Sequence, residues 1–233
     1  MGQQDSKPTG IVLSEITSPS GKDDMSASAK APRKKRFVER PDIRVTLLDA
    51  AEALIREEGY AAATARRIAA KVGLKHQVVF YYFGTQDELL LALVQRSSKD
   101  HQEKLELTLQ SDQPLRALWN LLRDRDATKF HLELLALANH NETIRTYLAS
   151  QAVISRDIET AAIERHLMAR GIQPRLSPRL VSILTNAIAR LLIQESTIAV
   201  DAGHDEVEAM VEDSLRIFET SGDVAAPPTS QQL

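Results

Sequence analysis

With 233 residues, 43% of them hydrophobic, the chain is long enough to bury a sizeable core in one or two domains. The absence of cysteine excludes disulfides, thiolate metal sites and thiol redox sensing, and no apolar run is long enough to cross a bilayer or to form the centre of a signal peptide. Charge is unevenly placed: residues 30–82 hold 12 Lys+Arg against 6 Asp+Glu, a net of +6, so a whole-chain sum of −3 leaves −9 for the rest.

A cytoplasmic protein that meets phosphates at one end only is therefore expected. Residues 1–40 read as a disordered basic arm. Met1 to Pro32 is rich in Ser, Lys, Pro and Asp without a sustained period, and Arg33, Lys34, Lys35 and Arg36 close it as a basic cluster suited to phosphates or a minor groove.

From Pro41 a helical period begins, with Val45, Leu48, Ala51, Ala53, Leu54 and Ile55 as one stripe, and Gly59 stops it. Thr64 is an N-cap for a second helix that turns Ile68, Ala69 and Val72 inward and ends at Gly73. A third helix opens near Lys75 or His76 and closes at Gly84. Thr85, with Glu88 three residues on, makes a capping box for a fourth that runs to about Gln110.

Beyond it the pattern stays helical. Pro114 starts a helix carrying Leu115, Leu118, Leu121 and Leu122, and the charged run Arg123, Asp124, Arg125, Asp126 reads as a polar helix end. Further helices are expected over Thr128–Asn139, about Glu142–Arg170, Arg179–Ala202 behind a Ser177–Pro178 cap, and from Asp205 to before Gly222. No strand alternation occurs, so the predicted fold class is all-α. The expected division is an arm at 1–40, a three-helix helix-turn-helix unit at 41–84, a helical body at 85–222, and a flexible tail at 223–233.

The third helix can read DNA. Val79 and Phe83, four residues apart, turn toward Ile68 and Val72, which leaves His76, Gln77 and Val78 in the first turn, the part that reaches base edges. Gln77 can pair bidentately with adenine, His76 can donate to a guanine acceptor and Val78 can touch a thymine methyl. The hydroxyls of Tyr81 and Tyr82 are candidates for phosphate contact, as is Thr64 beside its capping role.

The run T-A-R-R-I-A-A-K-V-G-L-K-H-Q-V-V-F-Y-Y-F followed by G-T-Q-D-E-L-L resembles the TetR family of bacterial transcriptional regulators. The resemblance covers roughly Arg40 to Arg96; beyond that only helix order and length support it. It implies operator binding by the conserved part, and effector binding and dimerisation by the body. It also implies a base contact by Arg66. Three departures stand out: Lys75 replaces a Ser or Thr cap and becomes a phosphate-contact candidate, Phe80 replaces a frequent tyrosine, and Gln86 replaces a frequent lysine.

In the body, Leu180, Ile183, Leu184, Ala187, Ile188, Leu191, Leu192, Glu195 and Ile198 give the penultimate helix a broad apolar face, and Val207, Met210, Val211, Leu215 and Phe218 give the last helix another. By resemblance these pair with a symmetry mate; otherwise they close the domain core. Trp119, Phe130, His131, Leu134, Tyr147, Asn186 and Arg190 are candidates to line a largely apolar effector pocket. The six histidines show no metal-ligand pairing, and neither a phosphate-binding glycine loop nor a nucleophile elbow is present, so no catalysis, cofactor or metal is expected. The expected partners are a palindromic double-stranded DNA operator, a small, mostly apolar effector and a second copy of the chain, with no membrane. The rival reading is a helical ligand-binding or scaffolding dimer without DNA affinity.

Overall fold

Nine α-helices and one short 3₁₀ turn make up the regular structure of the described residues, as the all-α expectation requires. The computed structural model describes residues 41–173 and 175–220. Arg33, Lys34, Lys35 and Arg36, with the rest of the arm and the tail, lie outside the described residues.

Helix α1 (Pro41–Glu58) ends at Gly59, whose φ of 86° is a region L side chains avoid, and a 3₁₀ turn at Tyr60–Ala62 leads to α2 (Ala65–Lys71). Then come α3 (Gln77–Phe83), α4 (Gln86–Thr108), α5 (Pro114–Leu122), α6 (Arg125–Ala138), α7 (Glu142–Ala169), α8 (Pro178–Thr197) and α9 (His204–Thr220).

The expected caps hold. Thr64 caps α2, the Thr85–Glu88 box opens α4 with both reciprocal bonds present, and Ser177 caps α8. Asp124, from the charged run, accepts the Ala127 amide at 3.0 Å and so caps α6, which begins three residues before the expected start at Thr128, and Asn141 accepts the Ile144 amide at 3.0 Å, capping α7 at its expected start of Glu142.

Two expectations need correction. Val45 is exposed, and Leu47 takes its place in the stripe of α1, which runs through Leu47, Leu48, Ala51, Leu54 and Ile55. Helix α8 stops at Thr197 rather than near Ala202. There the amides of Ile198 and Val200 both bond the Glu195 carbonyl, at 3.0 Å each, with Ala199 at a φ of 59° between them. The Glu195 carboxylate also bonds His204 Nε2 at 2.9 Å, fixing the start of α9 against the end of α8.

One apolar cluster joins α1, α2, α3 and α4 to Phe130, Leu134 and Leu137 of α6 and to Ile144 and Leu148 of α7. It has members on both sides of the expected boundary at residue 84. A second gathers Leu115 and Trp119 of α5, Ile163 and Leu167 of α7, Val181, Ala189 and Leu192 of α8, and Leu215 of α9. Leu134 is only 2% exposed in the first cluster, so Leu134→Ala should cost ~2–4 kcal/mol. Because α1 to α4 share that cluster, the loss should appear in one cooperative unfolding transition by circular dichroism; a separate N-terminal transition untouched by the substitution would contradict the shared core.

Candidate nucleic-acid interface

Helix α2 is tied down on three sides. Thr64 Oγ1 accepts the Arg67 amide at 3.4 Å, and the Gln86 side-chain carbonyl, arriving from α4, accepts the Ala65 amide at 2.8 Å. Lys71 pairs with Glu57 at 2.8 Å and Arg67 with Glu58, both across to α1. Gln86 therefore satisfies a first-turn amide that a lysine there would leave open, which gives this departure from the family pattern a physical role. Arg67 is engaged in an ion pair, whereas Arg66 is exposed and makes no side-chain hydrogen bond or ion pair among the described residues.

Helix α3 is held at its far end. Arg44 on α1 donates to the Tyr82 carbonyl at 2.8 Å, with its guanidinium 4.3 Å from the Phe83 ring centroid. A cation at a helix C-terminus also complements the helix dipole. Gly84 has a φ of 79°, and a Cβ there would run into the Glu88 carboxylate of the capping box, so both the backbone and the neighbour favour glycine. At the near end His76 occupies the N-cap position without a side-chain cap bond, so α3 begins at Gln77.

The exposed and buried residues of α3 fall on opposite faces. Val79 and Phe83 are buried, as expected, and Tyr82 joins them at 8% exposure. His76, Gln77, Phe80 and Tyr81 face solvent, with Phe80 45% and Tyr81 56% exposed, and Lys75 is exposed just ahead of them. Val78 is half-buried against the first cluster. The His76 and Phe80 rings meet edge-on at 6.1 Å, and those of Tyr81 and Tyr82 at 5.1 Å. Of the expected readers, then, His76 and Gln77 stand fully outward and Val78 only in part. Phe80, which stands where the family frequently has a tyrosine, is also outward, one helical turn after His76.

The seven expected effector residues do not form one site. Trp119, 1% exposed, belongs to the second cluster, while Phe130, Leu134 and Tyr147 belong to or pack on the first. His131, Asn186 and Arg190 instead border a polar group where α6, α7 and α8 meet. At its base Glu159 of α7, 3% exposed, accepts hydrogen bonds from Ser182 Oγ at 2.6 Å and Asn186 Nδ2 at 2.7 Å. Burial pushes the Glu159 carboxyl up against the pull of those two bonds. His131 is held down to about 4 by burial, and then by the charges of Arg190 and His101. Glu159, Ser182 and His101 were not singled out from sequence, although Ser182, Asn186 and Arg190 follow one another at four-residue spacing along α8.

Comparison with known proteins agrees with this arrangement. The model of the tetR family of bacterial regulatory proteins matches residues 47–93, which span most of α1 through the first half of α4. The HTH-type transcriptional repressor Rv3405c of Mycobacterium tuberculosis is 36% identical over 70 residues, 30% of this chain and 37% of that protein. An HTH-type transcriptional regulator of Mycobacterium bovis matches to the same extent, so the chain spans little more than a third of the length of these curated relatives.

Among solved structures, a transcriptional regulator of Saccharomonospora viridis in complex with choline superposes with a TM-score of 0.66 at 18% identity, covering 76% of this chain and 97% of that one. A TetR-family regulator of Rhodococcus sp. gives 0.59 at 17% identity, covering 78% and 98%. Salmonella enterica GusR gives 0.61 at 15% identity, covering 78% and 97%. At these identities the likeness is one of fold, and the sequence match is confined to residues 47–93, where the chain is similar to the helix-turn-helix segment of the tetR family of bacterial regulatory proteins.

Proposed function

We propose that the protein is an effector-responsive transcriptional repressor that binds a palindromic double-stranded DNA operator as a homodimer, with residues 41–84 as the reading head and 85–222 as the sensing and dimerising body. The observation that carries this is the division of α3: Val79, Tyr82 and Phe83 lock one face into the core, leaving His76, Gln77, Phe80 and Tyr81 as a rigid outward face. A short helix anchored on three others and exposed along one side is a unit built to enter a major groove. Lys75, exposed and without an ion-pair partner among the described residues, is the candidate to meet a phosphate beside it, and Arg66, likewise exposed and unpaired among them, is the candidate for a base contact from α2.

Dimerisation is supported by what the single chain leaves uncovered. Leu192 and Leu215 of the two expected apolar faces close the second cluster, and Val207, Val211 and Phe218 pack on it. Leu180, Ile183, Leu184 and Leu191 of α8 and Met210 of α9 remain exposed, between 39% and 52%. Apolar area concentrated in this way on two adjacent helices calls for a partner. A symmetric mate would set two α3 helices about 34–36 Å apart or wider, as successive major grooves require.

For the effector, the choline bound by the Saccharomonospora viridis regulator is an instance of this fold holding a small molecule. The polar group around Glu159 and His131 is the corresponding candidate here. Repression rather than activation follows the name of the Mycobacterium tuberculosis relative.

Salt-sensitive gel-shift binding to the DNA upstream of its own gene tests the main reading; no such binding would leave the rival dimer without DNA affinity. Gln77→Ala should relax base preference at one operator position by ~1–3 kcal/mol and Arg66→Ala should do so at another, whereas Lys75→Ala should weaken binding to all sequences and flatten the salt dependence. A double substitution Leu184→Asp, Leu191→Asp should yield a folded monomer in sedimentation analysis with sharply weaker operator binding. His131 takes up its proton near 4 in the folded chain but near the usual 6.5 when unfolded, so the native state should lose stability as pH falls through that window, by up to ~3 kcal/mol. His131→Gln should flatten that part of the stability profile in urea titrations.

A further inference from the structure

The meeting point of α4, α6, α7 and α8 brings two guanidinium groups and two imidazoles around one buried carboxyl. Ser182, Asn186 and Arg190 lie at four-residue spacing on α8, opposite Arg156 and Glu159 of α7, with His131 presented by α6 and His101 by α4. The group is graded in exposure: Glu159 and Ser182 are buried, Asn186, His131 and Arg156 half-buried, and Arg190 and His101 open to solvent. It is therefore a polar wall reachable from one side.

Its acids are already committed. Both hydrogen bonds to Glu159 fall on the same carboxylate oxygen, from Ser182 and from Asn186. Asp157, the other acid on this stretch of α7, bonds Arg179 at 2.8 Å, and Glu133 of α6 bonds the Tyr60 amide at 2.8 Å. Lys104, which follows His101 on α4, pairs with Asp124 at 3.5 Å. Neither Arg156 nor Arg190 makes a side-chain hydrogen bond or ion pair among the described residues, although both lie near enough for their charges to act on Glu159. Two guanidinium groups and two imidazoles thus gather around one buried carboxyl that already accepts two hydrogen bonds, and neither guanidinium has an ion-pair partner among the described residues.

We infer that this group is a subsite for the carboxylate of a small organic anion, seated between Arg190, Arg156 and the His131 ring with its apolar remainder directed away from Glu159. The inference rests on the effector-responsive reading above and narrows it, from a mostly apolar effector to one with an acidic head. Guanidinium groups suit this task because they present paired N–H donors to two carboxylate oxygens at once. A quaternary ammonium such as choline is repelled by the same charges.

The test uses the full chain with octanoate, octan-1-ol and choline as probes, followed by calorimetry and by the ring proton resonances of His131 and His101. Octanoate should bind saturably and displace both histidine resonances, while octan-1-ol and choline should not. Arg190→Gln, at an exposed position that tolerates the change, should weaken octanoate about tenfold or more, Arg156→Gln should do likewise, and Arg190→Lys should recover part of the loss. The inference is overturned if octanoate leaves both histidines unmoved, if octan-1-ol binds equally well, or if Arg190→Gln binds octanoate undiminished. Operator binding by the same preparation separates the outcomes: a protein that shifts its operator but ignores octanoate refutes the subsite alone, whereas one that ignores the operator refutes the wider reading.

Discussion

The placement of α1 to α4 depends on α6. Its apolar ridge of Phe130, Leu134 and Leu137 lies in the same buried cluster as the helices that carry the reading face, so the N-terminal unit has no complete core of its own. Polar ties add direction. Glu133 accepts the Tyr60 amide at 2.8 Å, Arg56 donates to the Asp126 carbonyl at 3.2 Å, and the same guanidinium lies 4.1 Å from the Phe130 ring centroid. A close-packed interior does not absorb small displacements, so α6 cannot shift without moving α1 and the turn after it.

The ion pairs around this junction orient more than they stabilise. Glu52 of α1 pairs with Arg56 at 2.8 Å and with Arg96 of α4 at 2.9 Å, and Arg96 also reaches Asp49. Exposed or partly exposed pairs of this kind contribute about 0–1 kcal/mol each, far less than the apolar side chains beneath them. Their value is geometric: a shared carboxylate sets α4 against α1 in one rotational position, and α4 in turn sends Gln86 back to hold the first turn of α2. The reading face of α3 thus depends on contacts made by helices that carry none of its residues.

The sequence revealed what depends on neighbours along the chain. Helix order, the Thr64, Thr85 and Ser177 caps, the glycine stops after α1 and α3, and the inward pair Val79 and Phe83 all follow from local spacing and backbone preference. What could not be read depends on partners distant in sequence. Gln86 looked like a lost charge because its acceptor role needs Ala65 close in space, and Val45 lost its inward place to Leu47 once α1 had packed. The candidate effector residues scattered for the same reason. Trp119 and Phe130 are both large and apolar, which periodicity reads alike, yet they fill different clusters. Glu159 gave no signal at all, since a single acid on a long helix normally faces water.

Helix α8 completes the pattern by carrying three groups of residues on separate strips. Val181, Ala189 and Leu192 point into the second cluster; Ser182, Asn186 and Arg190 flank Glu159; Ile183, Leu184 and Leu191 remain on the outer side. A ligand held at the second strip, as proposed, would touch a helix whose third strip would meet the mate, and through His131 it would also touch α6, a neighbouring face of which packs on α1 to α4. Two rigid helices then suffice to link effector, dimer and DNA, and no longer chain of contacts is needed. Such a ligand changes DNA affinity only if the position of α6 or α8 that it prefers differs from the one the operator prefers, so the sign of regulation lies in the relative placement of these two helices rather than in the strength of ligand binding.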